Sequence, residues 1–257
     1  MNTEPRRLPV INTVIAAYWT AWNRRAALWP LAPLLLIGAL LTAWATQAAR
    51  PESGLEHGAG GMLLQNLLSV AVSVLVAVRC HRLFLLDEPP NDGRWTPHWN
   101  TNDWRFLWRT VQISVLLLVI ALPPAAILAY GLAAERGGDG SPVAALGLLL
   151  LGLALLPVSV RLSLALPAAA TGTDGGLREA WRIGVGNSWR LVAVFLGFVL
   201  PVLGIDLAIE WLTRGWLASA LVGTVSIAAT VVGIAVLSVS YRALRPPSEV
   251  AGDTVDP

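Results

Sequence analysis

Long apolar runs, separated by short polar linkers, dominate the pattern of hydrophobic and polar positions along the chain. A helix needs about 20 mainly apolar residues to cross a bilayer core of about 30 Å. Six runs reach that length, and they cover residues 26–48, 62–86, 108–130, 142–166, 190–211 and 216–243. Prolines inside several runs predict kinks rather than breaks, because neighbouring helices can satisfy the backbone groups that a proline leaves unpaired. We therefore predict an all-α fold, a polytopic membrane bundle of six transmembrane helices that forms one domain over residues 1–257.

Two shorter segments are amphipathic rather than uniformly apolar. In the first, large apolar residues follow the three- and four-residue spacing of one helical face, at Ile11, Val14, Ile15, Tyr18, Trp19 and Trp22. Such a helix either lies in the headgroup plane or packs on the bundle, and the sequence leaves both positions open. In the second, we expect Asp174 to cap a helix that ends at Gly184 and Gly186, and Ser188 to cap the next span. Both segments predict cytoplasmic interfacial helices.

Arginine and tryptophan recur at a nearly constant spacing. Arg79, Arg161 and Arg242 close the even-numbered spans and are 82 and 81 residues apart. Trp99 and Trp181, in the linkers that follow two of these spans, are also 82 residues apart. Self-similarity at a fixed period is typical of repeated structural units. We therefore expect three related helical hairpins, over residues 9–88, 95–170 and 174–245, each beginning with an interfacial helix.

Charge is scarce and unevenly placed. Charged residues make up 13% of the chain and hydrophobic residues 55%, whereas a soluble domain carries about 25% charged residues. Fifteen of the 18 basic residues, all arginine, fall on one side of the predicted membrane, and basic loops are typically cytoplasmic. We therefore predict two cytoplasmic termini and a disordered tail at 246–257. The net charge of +2 is too small to favour nucleic acid as a partner.

Three motifs carry a resemblance to a known group of membrane proteins. They are VRCHRLFLLDE at 78–88, VRLSLALPAAA at 160–170 and LREAWRIGVGNSWRL at 177–191. With these motifs the chain resembles a large group of bacterial six-span membrane proteins, some of which are similar to the membrane domain attached to glycerophosphodiester phosphodiesterases. The resemblance implies the six-span fold and the bacterial inner membrane. It implies no phosphodiesterase activity, because we find no soluble phosphodiesterase domain in this sequence.

The arginines at the span ends and in the third linker are the first candidate site. The set comprises Arg79, Arg82, Arg161, Arg178, Arg182 and Arg190. In one interpretation these side chains extend to the headgroup layer and only anchor their helices. In the other they form a basic, tryptophan-lined ring that binds anionic phospholipid headgroups, because guanidinium groups match phosphate oxygens.

Two acidic residues inside a predicted span form the second candidate site. Asp206 and Glu210 lie four residues apart toward the outer end of the fifth span. Ionisable residues within a membrane are functional candidates. A structural role, with Arg214 neutralising one carboxylate, and a proton or cation relay both remain open.

The sequence contains no recognised catalytic or metal-binding motif. The single cysteine, Cys80, excludes an intramolecular disulfide and a cysteine-cluster metal site. The only candidates for a lipid-modifying enzyme are His81, His98, Asp87 and Asp103, and they follow no ligand-spacing motif. We therefore expect no enzyme, metal or cofactor. The favoured function is binding or organisation of phospholipid or envelope components, with membrane lipids as partners; the alternative is a small-molecule or lipid transporter. A membrane-protein partner or a second copy of the chain is also open.

Overall fold

Helices form all the regular structure in the part of the chain that the structure describes. A computed structural model describes residues 7–48, 59–90, 98–134, 142–173, 176–213 and 216–245. The helices are α1 Val10–Asn23, α2 Arg25–Leu28, a 3-10 turn Trp29–Leu31, α3 Ala32–Ala48, α4 Ala59–Leu86, α5 Thr101–Ala134, α6 Pro142–Leu162, α7 Ala165–Thr171, α8 Gly176–Ile183, α9 Ser188–Leu212 and α10 Trp216–Leu244. The predicted all-α class is confirmed.

Five helical segments of the described chain are long and apolar enough to cross a membrane. They belong to α4, α5, α6 with α7, α9 and α10. The count becomes six if α1 and the helical residues Arg25–Leu41, which meet at a bend of 63°, are one broken span. Large aliphatic side chains cover the outward faces of these helices, as a lipid environment requires. By length and composition the chain is therefore a multi-pass membrane protein.

The buried core is concentrated at one end of the bundle. Here α4 and α10 end, α9 begins, and the short helix α7 is enclosed. We call this the arginine end, because Arg79, Arg82, Arg161, Arg190 and Arg242 all lie there. Five of the seven residues of α7 are buried, and four of those are alanine. Small side chains let helix backbones approach closely, and α7 contacts α4, α5, α8 and α10.

Helix α1 packs on the bundle with its small residues. Thr13, Ala17 and Ala21, each four residues apart, are buried in contact with α9 and α10. Ile15 and Trp19, on the face that the hydropathy pattern singled out, are instead 61% and 64% exposed. Packing on the bundle, one of the two positions left open by the sequence, is thus observed for the small-residue face of α1. One face packs on protein, and the other presents large apolar side chains outward.

Several predicted boundaries were wrong. The interfacial helix expected at the start of the middle hairpin is not separate within residues 98–134, because α5 runs unbroken from Thr101 through Pro123 and Pro124. Helix α6 ends at Leu162, and a turn at Ser163–Leu164 precedes α7, so the apolar segment that could cross the membrane continues to Thr171 rather than to 166. The first predicted span consists of α2, the 3-10 turn and α3.

The third linker forms largely as expected. Helix α8 ends at Ile183, directly before Gly184, and Gly186 adopts a positive φ of 76° in the following turn. The N-cap of α9 is Asn187 and not Ser188. Asp174 and the tail at 246–257 lie outside the described residues.

Candidate functional site at the arginine end

Three span-end arginines donate hydrogen bonds to the last carbonyls of neighbouring helices. Arg82 Nη1 donates to Ala170 O at the end of α7, over 3.3 Å. Arg161 Nη2 donates to Trp181 O near the end of α8, over 2.5 Å. Arg242 Nη2 donates to Phe84 O and Leu85 O at the end of α4, the latter over 3.2 Å. The last four carbonyls of a helix lack intrahelical partners, and a cation there complements the helix dipole. These arginines therefore join one helix end to another.

Arg79 forms a buried ion pair that ties α4 to α5. Its guanidinium contacts the carboxylate of Asp103, whose side chain is fully buried, and it donates to His98 O over 2.6 Å. Asp103 Oδ2 also accepts the backbone N–H of Asn100 over 2.7 Å, while Asn100 Oδ1 accepts the N–H of Asp103 over 3.0 Å. This reciprocal arrangement caps the first turn of α5. The carboxylate thus serves both the helix start and the ion pair.

Arg161 is held against the tryptophan of α8. Its guanidinium carbon lies 3.7 Å from the centroid of the Trp181 ring, a cation–π geometry. A methyl group added at Gly184 would lie 2.9 Å from Arg161 Cγ and 3.1 Å from Arg161 Nε. A glycine is therefore needed where the turn after α8 crosses the arginine side chain. The buried Nε has no hydrogen-bond partner.

The other predicted arginines divide into two kinds. Arg190 Nη1 donates to Leu8 O over 3.1 Å and so connects α9 to the start of α1. Arg182 pairs with Glu179 over 2.7 Å, three residues away on α8, and is 66% exposed. Arg178 is also exposed on α8. Arg79, Arg82, Arg161 and Arg190 thus contact other parts of the bundle, whereas Arg178 is exposed on the outer surface.

Helices α5 and α8, which contact each other, together present an exposed set of tryptophan and arginine side chains. We call it the Trp/Arg surface, and it consists of Trp104, Arg105, Trp108, Arg178 and Trp181, all exposed. The two helices touch here, since a methyl group at Gly176 would lie 3.3 Å from Arg109 Nη2. Arg105 was not among the arginines predicted from the sequence. Its position could have been recognised, because Trp104 and Trp108 are four residues apart and so are Arg105 and Arg109. Residues four apart lie on one face of a helix, so the two pairs form adjacent stripes.

The second candidate site is on α9, about four turns of helix after Arg190. Asp206 lies in a shallow, open groove of about 180 Å³ whose other lining residues are Phe198, Val199, Val202 and Leu203. Its Oδ1 atom is buried and has no hydrogen-bond partner. Glu210 belongs to the last turns of α9, but its side chain and Arg214 lie outside the described residues.

The four candidate catalytic residues have separate partners. His81 is buried with Nδ1 2.8 Å from Ser238 Oγ, and Ser238 donates to Ile234 O. Asp87 pairs with Arg24, and Asp103 pairs with Arg79. His98 contributes its carbonyl oxygen to Arg79. Across the described ranges no three His, Cys, Asp or Glu residues lie close enough to hold a metal ion. This arrangement gives the lipid-enzyme hypothesis no support.

Comparison with protein-family models, with curated proteins and with solved structures finds no match to this chain. The resemblance to six-span bacterial membrane proteins stays a prediction.

Proposed function

We propose that the chain crosses a bacterial inner membrane six times, with α1 lying across the arginine end and both termini cytoplasmic. Asn187 Oδ1, before α9, accepts the N–H of Leu8 over 2.9 Å. Arg24, after α1, pairs with Asp87, directly after α4. Both ends of α1 are therefore tied to the same end of the bundle, which supports an interfacial position. Residues 25–48 then form the first span, about 36 Å long at 1.5 Å per residue.

We infer that the protein binds anionic phospholipid through the Trp/Arg surface. The observation that carries this inference is the exposure of Arg105 and Arg178 on the same two helices as the exposed rings of Trp104, Trp108 and Trp181. Tryptophan is enriched at the membrane interface, and a guanidinium can form two parallel hydrogen bonds to a phosphate. The pairing of exposed cations with exposed tryptophans therefore suits a layer of phosphate headgroups.

The length of α5 also supports a position of the Trp/Arg surface in the headgroup layer. Its 34 residues extend about 51 Å, which exceeds the bilayer core by about 20 Å. The first turns of α5, with Arg105 and Trp108, then project into the headgroup layer of the arginine end. The role that follows is non-enzymatic organisation of phospholipid or of envelope components. The groove at Asp206 is otherwise apolar, so it offers transport no polar pathway.

The test is to replace both exposed arginines, as Arg105→Gln with Arg178→Gln, and to measure anionic lipid that co-purifies in mild detergent. A hydrogen bond to a charged group contributes about 1.5 kcal/mol or more, so losing one at each arginine should weaken binding roughly 150-fold. General attraction of a basic residue to an anionic surface contributes only about 1 kcal/mol. The matched control is Arg25→Gln with Arg182→Gln, which removes the same charge from exposed positions at the same end. An equal loss in both double variants, or no loss in either, would contradict the proposed surface.

A further inference from the structure

The groove on α9 combines an apolar floor with one carboxylate that lacks a partner. Phe198, Val199, Val202 and Leu203 line it on one side of the helix, and Asp206 stands at its end. The Oδ1 atom of Asp206 is buried without a hydrogen-bond partner. A buried charged oxygen is costly unless a donor or a cation reaches it. Because Asp206 as a whole is only half-buried, a donor from a molecule beside the protein can approach its carboxylate through the open groove.

The position of Asp206 along α9 sets the depth at which a ligand would meet it. Asp206 follows Ser188, the first residue of α9, by 18 residues, or about 27 Å of helix. If α9 starts at the membrane surface of the arginine end, Asp206 lies near the far boundary of a core of about 30 Å. The apolar lining from Phe198 to Leu203 then extends from Asp206 back toward the middle of the bilayer. A lipid of the opposite leaflet has the same order, with its headgroup at the depth of Asp206 and its acyl chain at the depth of the apolar lining.

We propose that this groove binds a phospholipid with a primary ammonium headgroup, from the leaflet opposite the arginine end. The ammonium group donates to Asp206, and one acyl chain lies along Phe198, Val202 and Leu203. Charge complementarity selects the headgroup, because a carboxylate only accepts and an ammonium only donates. A choline headgroup has the same charge but no N–H, and a glycerol headgroup has no cation.

This site is distinct from the Trp/Arg surface in charge, in leaflet and in residues. The Trp/Arg surface would select anionic phosphate through cations, whereas the α9 groove would select an ammonium through an anion. The inference depends on the proposed topology but not on anionic lipid binding. Each site can therefore fail without the other.

The experiment compares lipids that differ only in headgroup. Detergent-purified protein is titrated with phosphatidylethanolamine, phosphatidylcholine or phosphatidylglycerol of identical acyl chains, and bound lipid is counted by native mass spectrometry. A charge-assisted hydrogen bond separates ethanolamine from choline, so the wild type should prefer ethanolamine about ten-fold. Asp206→Asn, which keeps the shape but removes the charge, should abolish that preference. Asp206→Glu should retain part of it.

The control variant is Leu207→Asn, which places the same amide one residue further on a lipid-facing position that is 57% exposed. It should leave the ethanolamine preference unchanged. The proposal is overturned if the wild type binds ethanolamine and choline lipids equally, or if Asp206→Asn keeps the preference. Phosphatidylglycerol binding reports separately on the Trp/Arg surface. It should be unaffected by Asp206→Asn and reduced by the Arg105 and Arg178 variants.

Discussion

Replacing Asp103 with asparagine tests how strongly the buried ion pair holds α5 against α4. The substitution keeps an oxygen that can accept the N–H of Asn100, which the carboxylate now accepts over 2.7 Å. It removes the charge opposite Arg79, whose side chain is only 13% exposed. The change therefore isolates the ion pair from the helix cap. It leaves a guanidinium largely buried without its counter-ion.

The expected cost follows from that burial. Removing one partner of a buried pair costs about 3–5 kcal/mol, because the remaining charge is uncompensated. Arg79 keeps its bond to His98 O, so we expect the lower limit, about 3 kcal/mol. Arg79→Met should cost a similar amount. The double variant should cost less than the sum of the two, because the second substitution removes a charge that is already unpaired.

The assay is equilibrium unfolding in mixed micelles, followed by tryptophan fluorescence. The matched control is Glu179→Gln, which breaks the exposed pair with Arg182 on α8 and should cost less than about 0.5 kcal/mol. Equal destabilisation by Asp103→Asn and Glu179→Gln would refute the claim that burial makes the Arg79 pair important. Additive costs in the double variant would show that the two side chains act independently.

Two further packing predictions use the same unfolding assay. Gly184→Ala should cost about 1–3 kcal/mol, because the new methyl group would lie 2.9 Å from Arg161 Cγ. A methyl group added at Gly204 would meet no atom within 4 Å. Gly204→Ala should therefore be neutral, or stabilising because alanine has the higher helix propensity. Ala17→Leu should cost about 1–3 kcal/mol by overpacking the contact of α1 with α9 and α10, whereas Ile15→Leu on the exposed face should cost almost nothing. Equal effects within either pair would contradict the packing described.

The span-forming segments could be predicted because the bilayer imposes a length on any apolar helix that crosses it. The same reasoning predicted the end of α8, since Gly184 interrupts an amphipathic pattern. It did not predict α7, which continues the apolar composition of α6 without a hydropathy change. The turn at Ser163–Leu164 is stabilised by enclosure of the alanine-rich α7 among four other helices. That enclosure has no local signal.

The positions of the candidate arginines could be read from the sequence, but their contact partners could not. Their spacing of 82 and 81 residues indicated a repeat, and equivalent partners would have followed from it. The structure gives Arg79 a carboxylate, Arg161 an indole and a carbonyl, and Arg242 the end of α4. Those partners lie between 20 and 158 residues away in the chain. Similar positions in the sequence therefore did not imply similar contacts.

The sequence by itself determined that this chain forms apolar helices for a membrane, because hydropathy and helix length are local properties. It also placed the glycines and the amphipathic stripe of α8. Only the tertiary structure decided which face of α1 packs inward. The small residues form that face, because they let α9 and α10 approach closely. The tertiary structure likewise decided which arginines are used in helix–helix contacts and which lie on the Trp/Arg surface. Those outcomes depend on helices that meet only when the bundle is assembled, so no single stretch of sequence contains them.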